Sequence, residues 1–113
     1  MIMNKFVLIT NKDTKENVAR IRMRDIDYHT MLLYNNDKCY GGGLYFRNDT
    51  NKTIQFYGSS CDLGKPLFEK FKQFELTDEF KEYKILWLGT DLSLPGNVKP
   101  VDLTSSIIWG FYL

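Results

Sequence analysis

Gly43-Leu-Tyr-Phe-Arg47, Asn48-Asp-Thr-Asn-Lys52 and Thr53-Ile-Gln-Phe-Tyr57 are two runs rich in aromatic and β-branched residues around a polar stretch, the pattern of a β-hairpin. A lone hairpin is marginal in water and needs a larger sheet to join. Strands are legible on both sides of it. Upstream, Lys5-Phe-Val-Leu-Ile-Thr10 reads as a first strand that the polar cluster Asn11 to Thr14 ends. Val18 to Asp25 reads as a second, because Ala19, Ile21 and Met23 alternate with Arg20, Arg22 and Arg24 and successive strand side chains point to opposite faces. Downstream, Tyr83-Lys-Ile-Leu-Trp-Leu88 is apolar on both faces and predicts a central strand. Turn signals at Pro95-Gly96 and Lys99-Pro100 precede Ser106 to Leu113, apolar enough for a last, docked strand.

Between these runs the spacing predicts helices. Asp25-Ile-Asp27-Tyr-His29 leads into Thr30-Met-Leu-Leu-Tyr34, where an Asp ahead of apolar residues reads as the N-cap of a short helix that Asn35-Asn36-Asp37 breaks. Pro66 to Glu75, with Leu67, Phe68, Phe71 and Phe74, reads as an amphipathic helix opening on proline, and Thr77 as the start of a further turn. The expectation is an α+β single domain, residues 1–113, with helices packed on a mixed sheet and residues 89–113 as an additional C-terminal segment.

With 113 residues there is room for one core. Fifteen basic residues (15) against 14 acidic ones give a net charge of +1, so whole-molecule charge indicates neither a nucleic-acid nor a membrane partner. The three-arginine stripe reads as a solvated sheet face or as an anion-attracting surface. No apolar run approaches the roughly 20 residues of a membrane span, and the first residues lack the features of a signal peptide. A cytoplasmic protein with free Cys39 and Cys61 is therefore expected. No metal is expected, since neither Cys-x-x-Cys nor His-Glu-x-x-His occurs.

Three places carry residue types with chemistry. His29, the single histidine, stands at a strand-to-helix junction, where it can exchange protons near neutrality beside free amides, or be structural. Cys39-Tyr-Gly-Gly-Gly43 reads as a loop that permits close backbone approach, or as a plain turn or bulge. Tyr57-Gly58-Ser59-Ser60-Cys61-Asp62-Leu63-Gly64 is a small-residue loop of the kind that cradles phosphate, though not a Walker loop. Ser59 and Ser60 have only His29 as a possible base, without triad spacing. Asp62 opposes a stabilised thiolate at Cys61.

Lys5-Phe-Val-Leu-Ile, Tyr28-His29, Cys39-Tyr-Gly-Gly-Gly43, Ile54-Gln-Phe-Tyr-Gly-Ser-Ser-Cys-Asp-Leu-Gly64 and Tyr83-Lys-Ile-Leu-Trp87, in this order, resemble the Janus/Ocnus family of protein histidine phosphatases. The resemblance implies a mixed, mainly antiparallel sheet flanked by two α-helices and an activity without metal or organic cofactor. It implies that His29 is the catalytic residue, a general base for hydrolysis of phosphohistidine or a related phosphoramidate. Lys5, the Thr30 amide and Ser60 then hold the phosphate, with Cys61 and Asp62 in the same loop and Gly41, Gly42, Gly43, Gly58 and Gly64 shaping it. The chain departs from the family pattern at Leu44, where an arginine is usual, at Asp62, where a small residue is, and in a compressed first helix. The implied partner is a phosphorylated protein or small phosphoramidate. The alternative is a weak or inactive binding protein on the same fold, viral or mobile-element accessory in kind, that takes an anionic ligand in the pocket or a protein partner on Trp109-Gly-Phe-Tyr-Leu113. Nucleic-acid binding through Arg20, Arg22 and Arg24 is the least favoured reading.

Overall fold

The computed structural model describes residues 3–14, 18–90 and 99–110. Eight strands form one sheet: β1 Met3–Thr10, β2 Ala19–Ile26, β3 Lys38–Asn48, β4 Thr53–Tyr57, β5 Phe74–Thr77, β6 Lys84–Trp87, β7 Val101–Asp102 and β8 Ile107–Gly110. Their order is β7-β6-β4-β3-β1-β2-β5-β8. The four middle strands β4, β3, β1 and β2 are antiparallel neighbours. Parallel pairs β4·β6, β2·β5 and β5·β8 extend the sheet, and β7 runs antiparallel to β6 at one end. The sheet curls into an open half-barrel.

Strand alternation places the core. Phe6 and Leu8 of β1, Ala19 and Ile21 of β2, Ile54 and Phe56 of β4, Phe74 and Leu76 of β5, and Ile85 and Trp87 of β6 all fall on the inner face. Phe71 fills the curl, with its ring centroid 4.8 Å from Trp87, 5.7 Å from Phe74 and 6.4 Å from Phe6. The outer face carries a smaller cluster of Val7, Ile9 and Leu32, and cross-strand pairing puts Lys5 on that same face.

The expected α+β fold with two flanking α-helices is corrected: the described residues hold no α-helix, only short 3-10 turns at His29–Leu32, Phe68–Lys72, Asp78–Phe80 and Thr104–Ser106. Asp25 caps nothing. It lies within β2 and accepts a hydrogen bond from the Tyr45 hydroxyl, 3.3 Å, so the segment after it starts at Tyr28 without a side-chain cap. Its far end is stopped by Asp37, which accepts from the Tyr34 amide at 2.7 Å, while the Arg22 guanidinium takes the Leu32 carbonyl at 2.6 Å. The Phe68, Phe71 and Phe74 spacing arises from a 3-10 turn running into a strand. Gln73 is extended, Phe71 and Phe74 are fully buried, and Leu67 and Phe68 lie exposed. Bulky aromatic residues suit a pleated surface at least as well as a helix, and the curled sheet decides for the strand.

Other expectations hold. The expected hairpin forms, with Arg47 opposite Ile54 and Asn48 opposite Thr53 and the Asn51 amide donating to Asn48 Oδ1 in its loop. The Arg20, Arg22 and Arg24 stripe does face away from the core. Residues 99–110 supply both sheet ends, β7 and β8, the latter where the last strand was expected. The Pro95-Gly96 turn and Phe111 to Leu113 lie outside the described residues. Trp109 is partly buried against the core. Cys39 and Cys61 are both free, and no helix among the described residues is long and apolar enough to cross a membrane.

Candidate functional site

The glycine triplet, which reads from sequence as a loop or as a plain turn or bulge, lies inside β3 and takes the bulge form, and each glycine answers a different steric demand. Between Val7 opposite Gly42 and Ile9 opposite Cys39, β3 carries one residue more than β1, a β-bulge that Gly41 accommodates at φ +103°. A Cβ on Gly41 would stand 2.3 Å from the Lys65 carbonyl oxygen. A Cβ on Gly42 would stand 2.6 Å from the Phe6 oxygen and 3.0 Å from His29 Cδ2. Gly42 is thus the floor on which the imidazole rests. A Cβ on Gly43 would meet the Phe6 ring at 2.9 Å on the opposite face.

His29 opens the 3-10 turn packed over β1 and β2 and is 6% exposed. Its Nε2 lies 2.7 Å from the Gly43 carbonyl oxygen. A carbonyl only accepts, so Nε2 carries the proton and Nδ1 keeps its lone pair. Burial pushes the imidazole pKa below its usual value, and the Lys5 charge pushes the same way. The Gly43 bond and the Asp62 carboxylate oppose this without reversing it. The ring is therefore neutral at pH 7, with a basic nitrogen at Nδ1.

Lys5 of β1 sits opposite Arg24 of β2 on one side and Leu44 of β3 on the other. It is only 9% exposed, and its ammonium enters no salt bridge among the described residues. No buried side-chain nitrogen or oxygen among the described residues lacks a hydrogen-bond partner, so the lysine head reaches solvent, where a cation beside a neutral histidine attracts an anion.

The small-residue loop closes the third side. After Tyr57, β4 leaves β3 and this loop takes its place along it. The Gly42 amide donates to Gly64 O at 3.3 Å, and the Leu67 amide to Tyr40 O at 2.9 Å. Ser60 and Gly64 bridge each other through Gly64 N to Ser60 O, 2.9 Å, with Gly58 and Gly64 both at positive φ. The Ser60 hydroxyl accepts from the Asp62 and Leu63 amides at 3.2 and 3.0 Å. These bonds fix the tight turn and leave that hydroxyl its O–H to donate. Cys61 and Asp62 lie exposed at the tip.

Lys5, His29 and the Ser60–Gly64 turn thus meet around Gly42, although they lie far apart in sequence. Thr30 is exposed beside His29. The turn that carries it has four residues, so the amide array expected of a helix start reduces to individual N–H groups. Sequence reasoning missed Gly42 as the rest for the ring and Gly43 as its hydrogen-bond acceptor; the compactness of the triplet was the only signal. The arginine stripe is largely spoken for. Arg20 pairs with Glu75 at 3.1 Å, and Arg22 binds Asp37 and stacks 4.2 Å from the Tyr34 ring. Arg24 alone is exposed with no salt bridge among the described residues. No protein-family model and no curated protein matches the chain.

Proposed function

We propose that the chain is a cofactor-independent phosphatase of the Janus/Ocnus kind that hydrolyses phosphohistidine or a related phosphoramidate. The observation carrying this reading is the pairing of a tautomer-locked His29, bare at Nδ1, with the nearby ammonium of Lys5, which enters no salt bridge among the described residues. Lys5, the Thr30 amide and the Ser60 hydroxyl hold the phosphoryl oxygens. Water attacks phosphorus as Nδ1 of His29 takes its proton. The P–N bond breaks, and the departing nitrogen receives a proton from the imidazolium, which restores the neutral ring. The P–N bond is labile, so positioning and charge neutralisation are the main demands. Burial keeps the base unprotonated at neutral pH.

The test is release of inorganic phosphate from phosphoramidate by the full chain and by His29→Ala. Loss of turnover in a variant with an unchanged circular dichroism spectrum supports the proposal, and unchanged turnover overturns it. A second reading, anion binding without turnover, is favoured by Leu44 beside Lys5 and by Asp62 at the loop tip, where a carboxylate disfavours a phosphate. It predicts that phosphate binds the unsubstituted chain while phosphoramidate persists.

A further inference from the structure

Among the described residues, part of one edge of β2 borders no other strand. On one side β2 pairs with β1 from Arg20 to Ile26. On the other, β5 meets it only at Ala19 and Arg20, then turns away into the 3-10 turn Asp78–Phe80. Among the described residues no strand borders Arg22 to Ile26 on that side. Where β5 departs, the seam opens into a cleft of about 290 Å³, with Ile21, Met23 and Leu76 in its lining and Arg24, Arg47 and Glu79 among its polar residues. Arg47 is held by Asp49 and Glu79, which leaves Arg24 as the cation without a salt bridge.

Exposed strand edges offer backbone donors and acceptors to an incoming extended chain. Arg24 stands between this edge and the site, being the cross-strand neighbour of Lys5 on the same face. A residue added opposite Arg24 would share that face, two strand spacings or about 10 Å from Lys5, a gap that two long side chains close. We propose that the substrate is an extended, acidic segment of a phosphorylated protein, added as a strand to the β2 edge. Its phosphorylated side chain crosses Arg24 toward Lys5 and His29, and a neighbouring carboxylate pairs with the Arg24 guanidinium. This rests on the phosphatase reading for the role of His29 but not for the docking itself.

The experiment is fluorescence-anisotropy binding of a labelled extended peptide, rich in glutamate, with a hydrolytically stable phosphoryl-triazole in place of phosphohistidine. Arg24→Ala is expected to weaken binding about tenfold or more, as loss of a charge-assisted hydrogen bond does, and Arg24→Lys to recover part of it. N-methylation of alternate peptide amides is expected to abolish binding in one alternation and spare it in the other, because only every second amide faces the edge. Affinity indifferent to Arg24→Ala and to both methylation patterns overturns the proposal. So does a dimer of this chain, joined through the same edge, that the peptide does not dissociate. Binding is read without turnover, so an inactive His29 leaves this result standing and failure of the phosphatase reading is seen separately.

Discussion

Gly42→Ala tests the steric floor under His29. The added methyl would lie 2.6 Å from the Phe6 carbonyl oxygen, 3.0 Å from His29 Cδ2 and 3.5 Å from Val7 Cγ1. The first neighbour is backbone at the centre of the sheet and cannot yield without disturbing the β1·β3 ladder, so the ring is displaced as well. Overpacking of this kind costs about 1–3 kcal/mol, and the lower chain entropy of alanine in the unfolded state returns about 0.4–1 kcal/mol. A net loss of about 1–2 kcal/mol follows, or a urea midpoint lower by roughly 0.5–1 M at the m-values of small domains. Displacement also stretches the Nε2 contact to Gly43, which releases the tautomer. Loss of that bond, which raises the imidazole pKa, should move an NMR titration of the ring further below the ordinary histidine value, and phosphoramidate turnover should fall by at least about tenfold if the base must be aimed within a fraction of an ångström. A variant with unchanged urea midpoint and unchanged imidazole titration would refute the assignment of Gly42 as the seat of the ring.

Other perturbations have equally definite outcomes. Removal of the opposing carboxylate in Asp62→Asn should lower the His29 pKa further and tighten inorganic phosphate binding, read by NMR titration and calorimetry. Because the folded-state pKa of His29 lies below its unfolded value, the unfolded chain binds the extra proton first. Stability is therefore expected to decline as pH falls below about 6.5, a slope that His29→Gln should reduce in urea titrations at several pH values. Phe71→Ala should cost about 3–5 kcal/mol, since its ring has no exposed surface and touches Phe6, Phe74 and Trp87; thermal unfolding measures it. Ser60→Ala strips the acceptor from two amides and should raise KM more than it lowers kcat.

Strand content was legible where alternation carried it. β2 follows from a period-two pattern whose apolar members Ala19 and Ile21 face the core, and β1 and the β3·β4 hairpin from their aromatic and β-branched residues, although Phe46 of β3 lies exposed. The helices were not legible. A four-residue 3-10 turn ended by Asp37 and Arg22, and an aromatic run divided between a turn and β5, both imitate helical spacing over the short window available. What separates them is tertiary: the Arg22 bond to the Leu32 carbonyl and the burial of Phe74 opposite Ala19. The same holds at the candidate site. His29, Lys5 and Ser60 stand out by residue type, but the imidazole tautomer and the use of the glycine triplet as strand depend on contacts between distant segments.

Because β7 and β8 bound opposite ends of the sheet, synthesis from the N-terminus makes them after the strands they border. A nascent chain halted near residue 90 would carry β5 and β6 with naked flanks, prone to pairing with a neighbouring polypeptide. Closure of both margins must await residues 101–110, so this architecture matures late and at two remote places at once.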